Sequence, residues 1–193
     1  MTIASIQQAL FLDRDGVINI NHGYVHSQKD FEFIDGIFDL ARAAHLLQYK
    51  LVVITNQAGI GRGYYSVQQF HDLTDWMCAQ FLAQGAPISK VYYSPYHPSE
   101  GVGVYKKDDF SRKPNPGMIF QAQKEFNLDL EGSFLVGDKA SDIQAGAAAG
   151  VGHNILFSPD NPIELSSIDY RRISFLKDVL PMLSSSQYRG NYR

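Results

Sequence analysis

The stretch Leu10-Phe11-Leu12-Asp13-Arg14-Asp15-Gly16 decides how the rest of the chain is read. Leu10, Phe11 and Leu12 form an apolar run without alternation, the pattern of a strand covered on both faces. Two carboxylates two positions apart follow, and then a glycine that lets the backbone bend away. Where the chain turns at a strand end, Asp13 and Asp15 can both point into one crevice, and the carboxyl ends of parallel strands are where open α/β proteins bind ligands. Two anionic groups at such a place repel each other unless a cation sits between them or one is protonated. That cost points to Mg²⁺ and to acid/base work. Taken alone, Asp-x-Asp-Gly reads more readily as an Asp-Gly hairpin turn, so the decision rests on what the later strand ends carry.

The chain has 193 residues, 45% hydrophobic and 19% charged, which suits one soluble α/β domain with a sizeable core. A formal net charge of −3 provides no global field to gather nucleic acid or an acidic membrane, so any anion site must be local. The one cysteine, Cys78, cannot form an internal disulfide or a thiolate zinc cluster and sits at helical spacing beside Trp76 and Met77, as a core residue would. Met1 to Ala9 carry no basic residue, and the apolar stretch behind them is too short for a signal peptide or a membrane span. The expectation is a cytoplasmic protein, with a monomer as the default because no exposed apolar stripe stands out.

Outward from Gly16, residues 17 to 33 are polar and aromatic, include Asn21-His22-Gly23-Tyr24-Val25-His26 and show no helical period. So long a departure between a strand and its helix usually carries function. Asp35-Gly36 opens an amphipathic helix with Ile37, Leu40, Ala41, Ala44 and Leu47 on one face. Leu51 to Thr55 is a second buried strand, running into Thr55-Asn56-Gln57-Ala58-Gly59-Ile60-Gly61-Arg62-Gly63, whose glycines suit either an anion cradle or a flexible loop. Ser66 to Gln69 is a capping box that starts a helix to about Gln84, with Phe70, Leu73, Thr74, Met77 and Phe81 inward. Ile88 to Tyr93 is a third strand, followed by a long loop from Ser94 to Lys113. Asn115 as cap and Pro116 in the first turn open a helix ending near Asn127. Ser133 to Gly137 makes a fourth strand with Asp138-Lys139 at its end, Ala140 to Ala149 a small-residue helix, and Gly152 to Phe157 a fifth strand. Ile173 to Leu183 reads as a terminal helix kinked or ended by Pro181, with a polar tail behind it. The expected organisation is one domain over residues 1–185 and a tail over 186–193, built from right-handed βαβ units around a parallel sheet.

Four strand or loop ends thus carry polar groups: Asp13 with Asp15, Thr55 with Asn56, Arg112 with Lys113, and Asp138 with Lys139. In a parallel sheet they emerge at one edge and can converge. Three carboxylates, two hydrogen-bonding side chains and several cations suit Mg²⁺ plus a phosphate dianion.

Asp13-x-Asp15-Gly16, Thr55-Asn56, Lys113-Pro114 and Gly137-Asp138-x-x-x-Asp142 resemble, in order and spacing, the four motifs of the haloacid-dehalogenase-like phosphohydrolases. Phe-Leu-Asp-Arg14-Asp-Gly, His22-Gly23-Tyr24-Val25, Thr-Asn-Gln57, Ile60-Gly61-Arg62-Gly63, Arg112-Lys113-Pro114 and Val136-Gly-Asp-Lys139 resemble more narrowly its heptose bisphosphate phosphatases, with the histidinol-phosphate phosphatases as near relatives. The resemblance implies a Rossmann-like sheet of order 5-4-1-2-3 without a large cap. It makes Asp13 the nucleophile, Asp15 the general acid and base, and Thr55 and Lys113 the groups that hold the transferring phosphoryl together with Asn56. It assigns Mg²⁺ to Asp13, the Asp15 carbonyl and Asp138. The implied substrate is a phosphorylated sugar bordered by Asn21, His22, Gly23, Tyr24, Gln57, Ala58 and Lys139, with Arg62 and Arg112 reaching its distal phosphate.

Many relatives in this resemblance hold the loop after the third strand with zinc, through Cys-x-His and Cys-x-Cys. Here those positions read Ser94-Pro95-Tyr96 and Asp109-Phe110-Ser111, so no zinc is expected, and Tyr96, Tyr105 and Phe110 are expected to pack the loop instead. Two other functions remain open on the residues: a phosphotransferase, and a phospho-accepting signalling receiver, in which Asp15 would have no task.

Overall fold

Burial on both faces makes β1 (Ala9–Leu12) a central strand. Leu10 and Leu12 enter one core, while Ala9 and Phe11 enter the other, as the two-residue period of a strand requires. The computed structural model describes residues 7–159 and 165–189. Along them follow α1 (Ile37–Leu46), β2 (Lys50–Asn56), α2 (Ala58–Gly61), α3 (Val67–Ala83), β3 (Lys90–Ser94), α4 (Gly117–Phe126), β4 (Phe134–Gly137), α5 (Ala140–Ala149), β5 (His153–Phe157), β6 (Arg171–Ile173) and α6 (Leu180–Arg189). The strands pair in parallel in the order β3-β2-β1-β4-β5-β6. The register sets Leu10 beside Leu51 and Phe134.

Helices cover both faces, as a parallel sheet needs. On one side Ile37, Leu40, Ala41 and Ala44 of α1 pack with Leu73, Met77 and Phe81 of α3 and Leu183 of α6. On the other, Met118, Ile119 and Ala122 of α4 pack with Ile143 and Ala145 of α5. The inward residues expected for α1 and α3 are the buried ones, except that Leu47 follows the last turn of α1. Ser66 and Gln69 form the expected capping box, Ser66 Oγ accepting from Gln69 N–H and Gln69 Oε1 from Ser66 N–H.

Four local expectations are corrected. The expected five-strand order is extended by β6, which carries two exposed arginines and a single buried Ile173, too little apolar sequence to mark a strand. Pro181 opens α6 rather than ending a helix, because a missing N–H costs nothing in a first turn. α6 then continues to Arg189, through part of the stretch expected as a tail. Asn115 does not cap α4: Pro116 holds that position, and Asn115 Nδ2 instead donates to the Asp109 carbonyl. Of the stretch from Met1 to Ala9, on which the expectation about a signal peptide was made, residues 1–6 lie outside the described ones. Among the described residues no helix is long and apolar enough to cross a membrane.

Candidate active site

Asp13 leaves β1 and Asp138 leaves β4, and the backbones are tied there by Asp13 N–H donating to the Val136 carbonyl at 3.0 Å. Asp142 joins them from the first turn of α5, where its Oδ2 accepts from Lys139 N–H at 2.9 Å. One carboxylate oxygen from each of Asp13, Asp138 and Asp142 lies within 4.8 Å of the others. Two glycines allow this crowding. A Cβ at Gly16, whose φ of +98° suits glycine, would fall 2.2 Å from Asp138 Oδ2, and one at Gly137 would fall 2.1 Å from the Asp142 Cβ.

Lys113 arrives from the long loop and bridges two of the acids, its Nζ 2.8 Å from Asp13 Oδ1 and 2.7 Å from Asp142 Oδ1. Lys113 Nζ also donates to the Ile54 carbonyl at 2.9 Å. Burial alone would push this ammonium down, but Asp13 and Asp142 together outweigh it and hold Lys113 above the usual lysine range. Burial pushes the Asp13 carboxyl up to about 7, helped by Asp142 and Asp138 and opposed by Lys113 and Lys139. Asp138 is also raised, first by burial and then by Asp142.

The donor set fits a divalent cation. Three carboxylates face two ammonium groups, and Asp138 Oδ1 is buried without a hydrogen bond, with Lys139 Nζ 3.4 Å away. Lys113 engages Asp13 and Asp142 alike, so all three carboxylates stand within reach of an ion of the Mg²⁺ type. Asp142 is the member that residue reading left without a role; its signal was its place four positions after Asp138, where a first-turn side chain folds back over the strand end.

The Asp15 carboxylate stands apart from that cluster. Arg14, only 1% exposed, donates from Nη2 to Asp15 Oδ2 at 2.8 Å and to the Val25 carbonyl at 2.7 Å. Asn19 Nδ2 and Gln57 Nε2 donate to the two Asp15 oxygens at 3.1 and 3.0 Å. Gln57 is buried, its Nε2 also reaching Thr55 Oγ1 at 2.8 Å while its Oε1 accepts from Tyr65. Its side chain therefore orients Asp15 and Thr55. Asn56 is similarly committed: its Nδ2 donates to the Lys113 carbonyl at 3.0 Å and its Oδ1 accepts from Lys113 N–H at 3.1 Å, fixing the lysine to the end of β2.

A cavity of about 540 Å³ opens over these groups, a size that suits a small ligand. Asp13, Asp15, Asn21, Gly23, Tyr24, Thr55, Asn56, Gln57, Ala58, Arg112, Lys113 and Lys139 line it, most of the residues expected at the site. Three expected residues do not line it: Asp138 stays in the carboxylate cluster with Asp13 and Asp142, and two others stand elsewhere. His22 lines a neighbouring hollow of about 330 Å³, with its Nε2 3.6 Å from Glu32. Arg62 sits behind Tyr24, stacked against the Tyr24 and Tyr64 rings and donating to the Tyr24 hydroxyl, with its Nη1 2.7 Å from Glu100 Oε2. The glycine stretch before it is the helical turn α2, not an open loop.

At the positions where relatives in the resemblance carry zinc ligands, the loop is tied by hydroxyls and charge. Ser111 Oγ donates to Asp109 Oδ1 at 2.6 Å and lies at hydrogen-bond distance, 3.1 Å, from Ser94 Oγ. Lys107 Nζ lies 2.7 Å from Asp109 Oδ2 and 4.0 Å from the Tyr96 ring centre. Tyr96 and Tyr105 pack with ring centres 6.0 Å apart, whereas Phe110 is 60% exposed and stacks on Phe120. The expected packing is thus corrected for Phe110 alone; polar ties join the Tyr96–Tyr105 contact, among them Arg112 Nη1 donating to the Tyr96 carbonyl at 2.9 Å.

Strand-end carboxylates, a lysine bridging two of them and a donor-lined cavity define the class: a doubly wound α/β protein with an aspartate-centred phosphate-ester site. The family described as polynucleotide kinase 3 phosphatase matches residues 10–167, and the chain belongs to it, among the haloacid-dehalogenase-like phosphatases. The chain is similar to D-glycero-alpha-D-manno-heptose-1,7-bisphosphate 7-phosphatase of Burkholderia mallei, at 52% identity over 92% of this chain and 94% of that protein. It is also similar to D-glycero-beta-D-manno-heptose-1,7-bisphosphate 7-phosphatase of Vibrio cholerae, at 48% identity over 80% and 83%. The solved structure of D,D-heptose 1,7-bisphosphate phosphatase from B. bronchiseptica, complexed with magnesium and phosphate, shares the fold with a TM-score of 0.78 at 24% identity, covering 93% of this chain and 99% of that one.

Proposed function

We propose that this chain is a Mg²⁺-dependent phosphatase that removes the 7-phosphate from a D-glycero-D-manno-heptose 1,7-bisphosphate. The observation that carries the reading is the joint placement of Asp13, Lys113 and Asp15 on one cavity that also presents Thr55 and Arg112. The names of the B. mallei and V. cholerae relatives support the substrate.

In this reading Asp13 attacks phosphorus, and its new O–P bond forms as the bond to the sugar oxygen breaks. Asp15 gives that oxygen a proton, which requires its carboxyl to swing off the Arg14 guanidinium. It then takes a proton from the water that displaces the aspartyl-phosphate and releases inorganic phosphate. Lys113 and Thr55 steady the phosphoryl oxygens as charge shifts among them. Mg²⁺, held by Asp13 and Asp138 with the Asp15 carbonyl, would screen anionic nucleophile from anionic substrate. Arg112, Asn21 and Tyr24 border the sugar and its second phosphate.

We place the enzyme in the cytoplasm as a single chain acting on small phosphorylated sugars. Its single cysteine, with a thiol that burial pushes up to about 11, and its net charge of −3 fit that setting better than a nucleic-acid surface. A phosphate-release screen over α and β heptose 1,7-bisphosphates, histidinol phosphate and simple monophosphates tests the reading. The expected result is magnesium-dependent release from a heptose bisphosphate ahead of all others. Preference for histidinol phosphate, or inertness toward both heptose anomers, would overturn it.

A further inference from the structure

Arg14, Asn19 and Gln57 all donate to the Asp15 carboxylate, and of the three only Gln57 lines the cavity. Gln57 is itself held at three points. Its Nε2 reaches Asp15 Oδ2 at 3.0 Å and Thr55 Oγ1 at 2.8 Å, while the Tyr65 hydroxyl donates to its Oε1. An amide has donors at one end and an acceptor at the other, so these contacts fix which way it faces. Turned over, it would set Oε1 against a carboxylate that offers acceptors only.

The Tyr65 ring is seated for this contact. It lines the cavity yet is only 6% exposed, and it packs with Ile60 and Phe70. The His26 ring stacks on it, 3° from parallel with centres 5.2 Å apart. Gly59 makes the remaining room, because a Cβ there would fall 2.2 Å from Tyr65 Cε1. Burial pushes the hydroxyl up to about 12, so it stays a donor at neutral pH.

We propose that Tyr65 is a positioning residue for the acid step: through the Gln57 amide it keeps Asp15 on the cavity side, where that carboxyl meets the departing oxygen. This rests on the reading of Asp15 as the general acid. Arg14 holds Asp15 from outside the cavity, whereas the Gln57 N–H guides it from within once it leaves the guanidinium. The Tyr65 hydroxyl is committed to Gln57, so its effect reaches the reaction through that amide.

A proton from Asp15 matters more as the leaving oxygen becomes more basic. A series of aryl phosphates running from 4-nitrophenyl to phenyl phosphate, turned over with Mg²⁺, therefore reads the acid step through kcat/KM. The folded fraction of a preparation scales every member alike, so a merely structural defect leaves the dependence on the leaving phenol unchanged. Asp15→Asn should steepen that dependence strongly. Tyr65→Phe, which removes one hydroxyl, should steepen it as well, with phenyl phosphate losing about two- to tenfold more than 4-nitrophenyl phosphate, the span of one neutral hydrogen bond. In a Gln57→Met background, Tyr65→Phe should add nothing to the slope. An equal loss across the series, or a steepening that persists without Gln57, would overturn the assignment. A steep Asp15→Asn series beside a Tyr65→Phe series parallel to wild type would overturn it alone. An Asp15→Asn series with the wild-type slope would overturn the acid reading and this assignment with it.

Discussion

The centre around Asp13, on the cavity, and the rim around Arg62, behind the cavity-lining Tyr24, are held by different forces. At the centre, Lys113 bridges Asp13 and Asp142 through side chains no more than 6% exposed. Losing one partner there strands a charge away from water. At the rim, Arg62 and Glu100 share an ion pair with roughly half of the glutamate in solvent, and Lys107 with Asp109 is similarly accessible. Water and salt screen such pairs, which contribute ~0.2–1 kcal/mol each. The strand-end cluster is fixed by buried charge, whereas the loop pairs around Arg62 and Asp109 can be exchanged cheaply.

Substitutions at the centre should therefore cost orders of magnitude, and the largest effect belongs to the nucleophile. Asp13→Ala should lower kcat by ~10⁵-fold or more, as removal of a covalent nucleophile does elsewhere. Steady-state phosphate release reads it, and near-normal turnover would break the contrast at its strongest point. Lys113→Met should lower both activity and stability, by about 3–5 kcal/mol in urea unfolding, because Asp13 and Asp142 are left buried without their shared cation. A loss below 1 kcal/mol would mean that the pair is less isolated from solvent than its burial implies.

Gly16→Ala tests the join between cation and nucleophile. Its methyl would meet Asp138 Oδ2 at 2.2 Å on a backbone with φ of +98°, so Asp138 must move. Mg²⁺ affinity, read by activity titration or calorimetry, should weaken by about 10- to 100-fold, the usual effect of disturbing the residues around a metal's ligands.

The smallest effect belongs to the loop behind the rim. Burial would push the Asp109 carboxyl up, but hydrogen bonds from Lys107 and Ser111 overcome this and hold it at about 2. A carboxyl depressed in the folded state contributes stability above its unfolded value of 3.8, and that share is lost as pH falls from there toward about 2. Asp109→Asn should flatten the acid limb of thermal stability in that window by under ~1 kcal/mol and change little at pH 7 beyond the loss of the exposed pair. An unchanged acid limb would remove Asp109 from the loop's anchoring.

What could be read in advance follows the same division. Asp13, Thr55, Lys113 and Asp138 were legible because each sits at the end of an apolar run or a proline-marked turn, and parallel topology brings such ends together, Thr55 and Lys113 on the cavity with Asp13 and Asp138 beside Asp13 in the carboxylate cluster. The inward residues of α3 were legible from a helical period that the core then uses. Asp142 gave only a spacing, since its role depends on how the first turn of α5 folds back over Gly137. Gln57 looked like a substrate contact, and only its burial against Asp15, Thr55 and Tyr65 reveals an orienting residue. Arg62 was misplaced for the reason that long side chains defeat pattern reading: its partner Glu100 lies on a loop without periodicity, and nothing local links them. β6 escaped because an edge strand with one buried residue leaves no apolar run.

Single-turnover rapid quench with a heptose 1,7-bisphosphate and Mg²⁺, followed by peptide mapping in the mass spectrometer, asks whether Asp13 carries the phosphoryl group. A transient phosphoryl group is expected on the peptide carrying Asp13, absent in Asp13→Asn, with the heptose 1-phosphate as the released sugar. Phosphate release with no covalent intermediate on any residue, or a phosphoryl group on a different side chain, would contradict it.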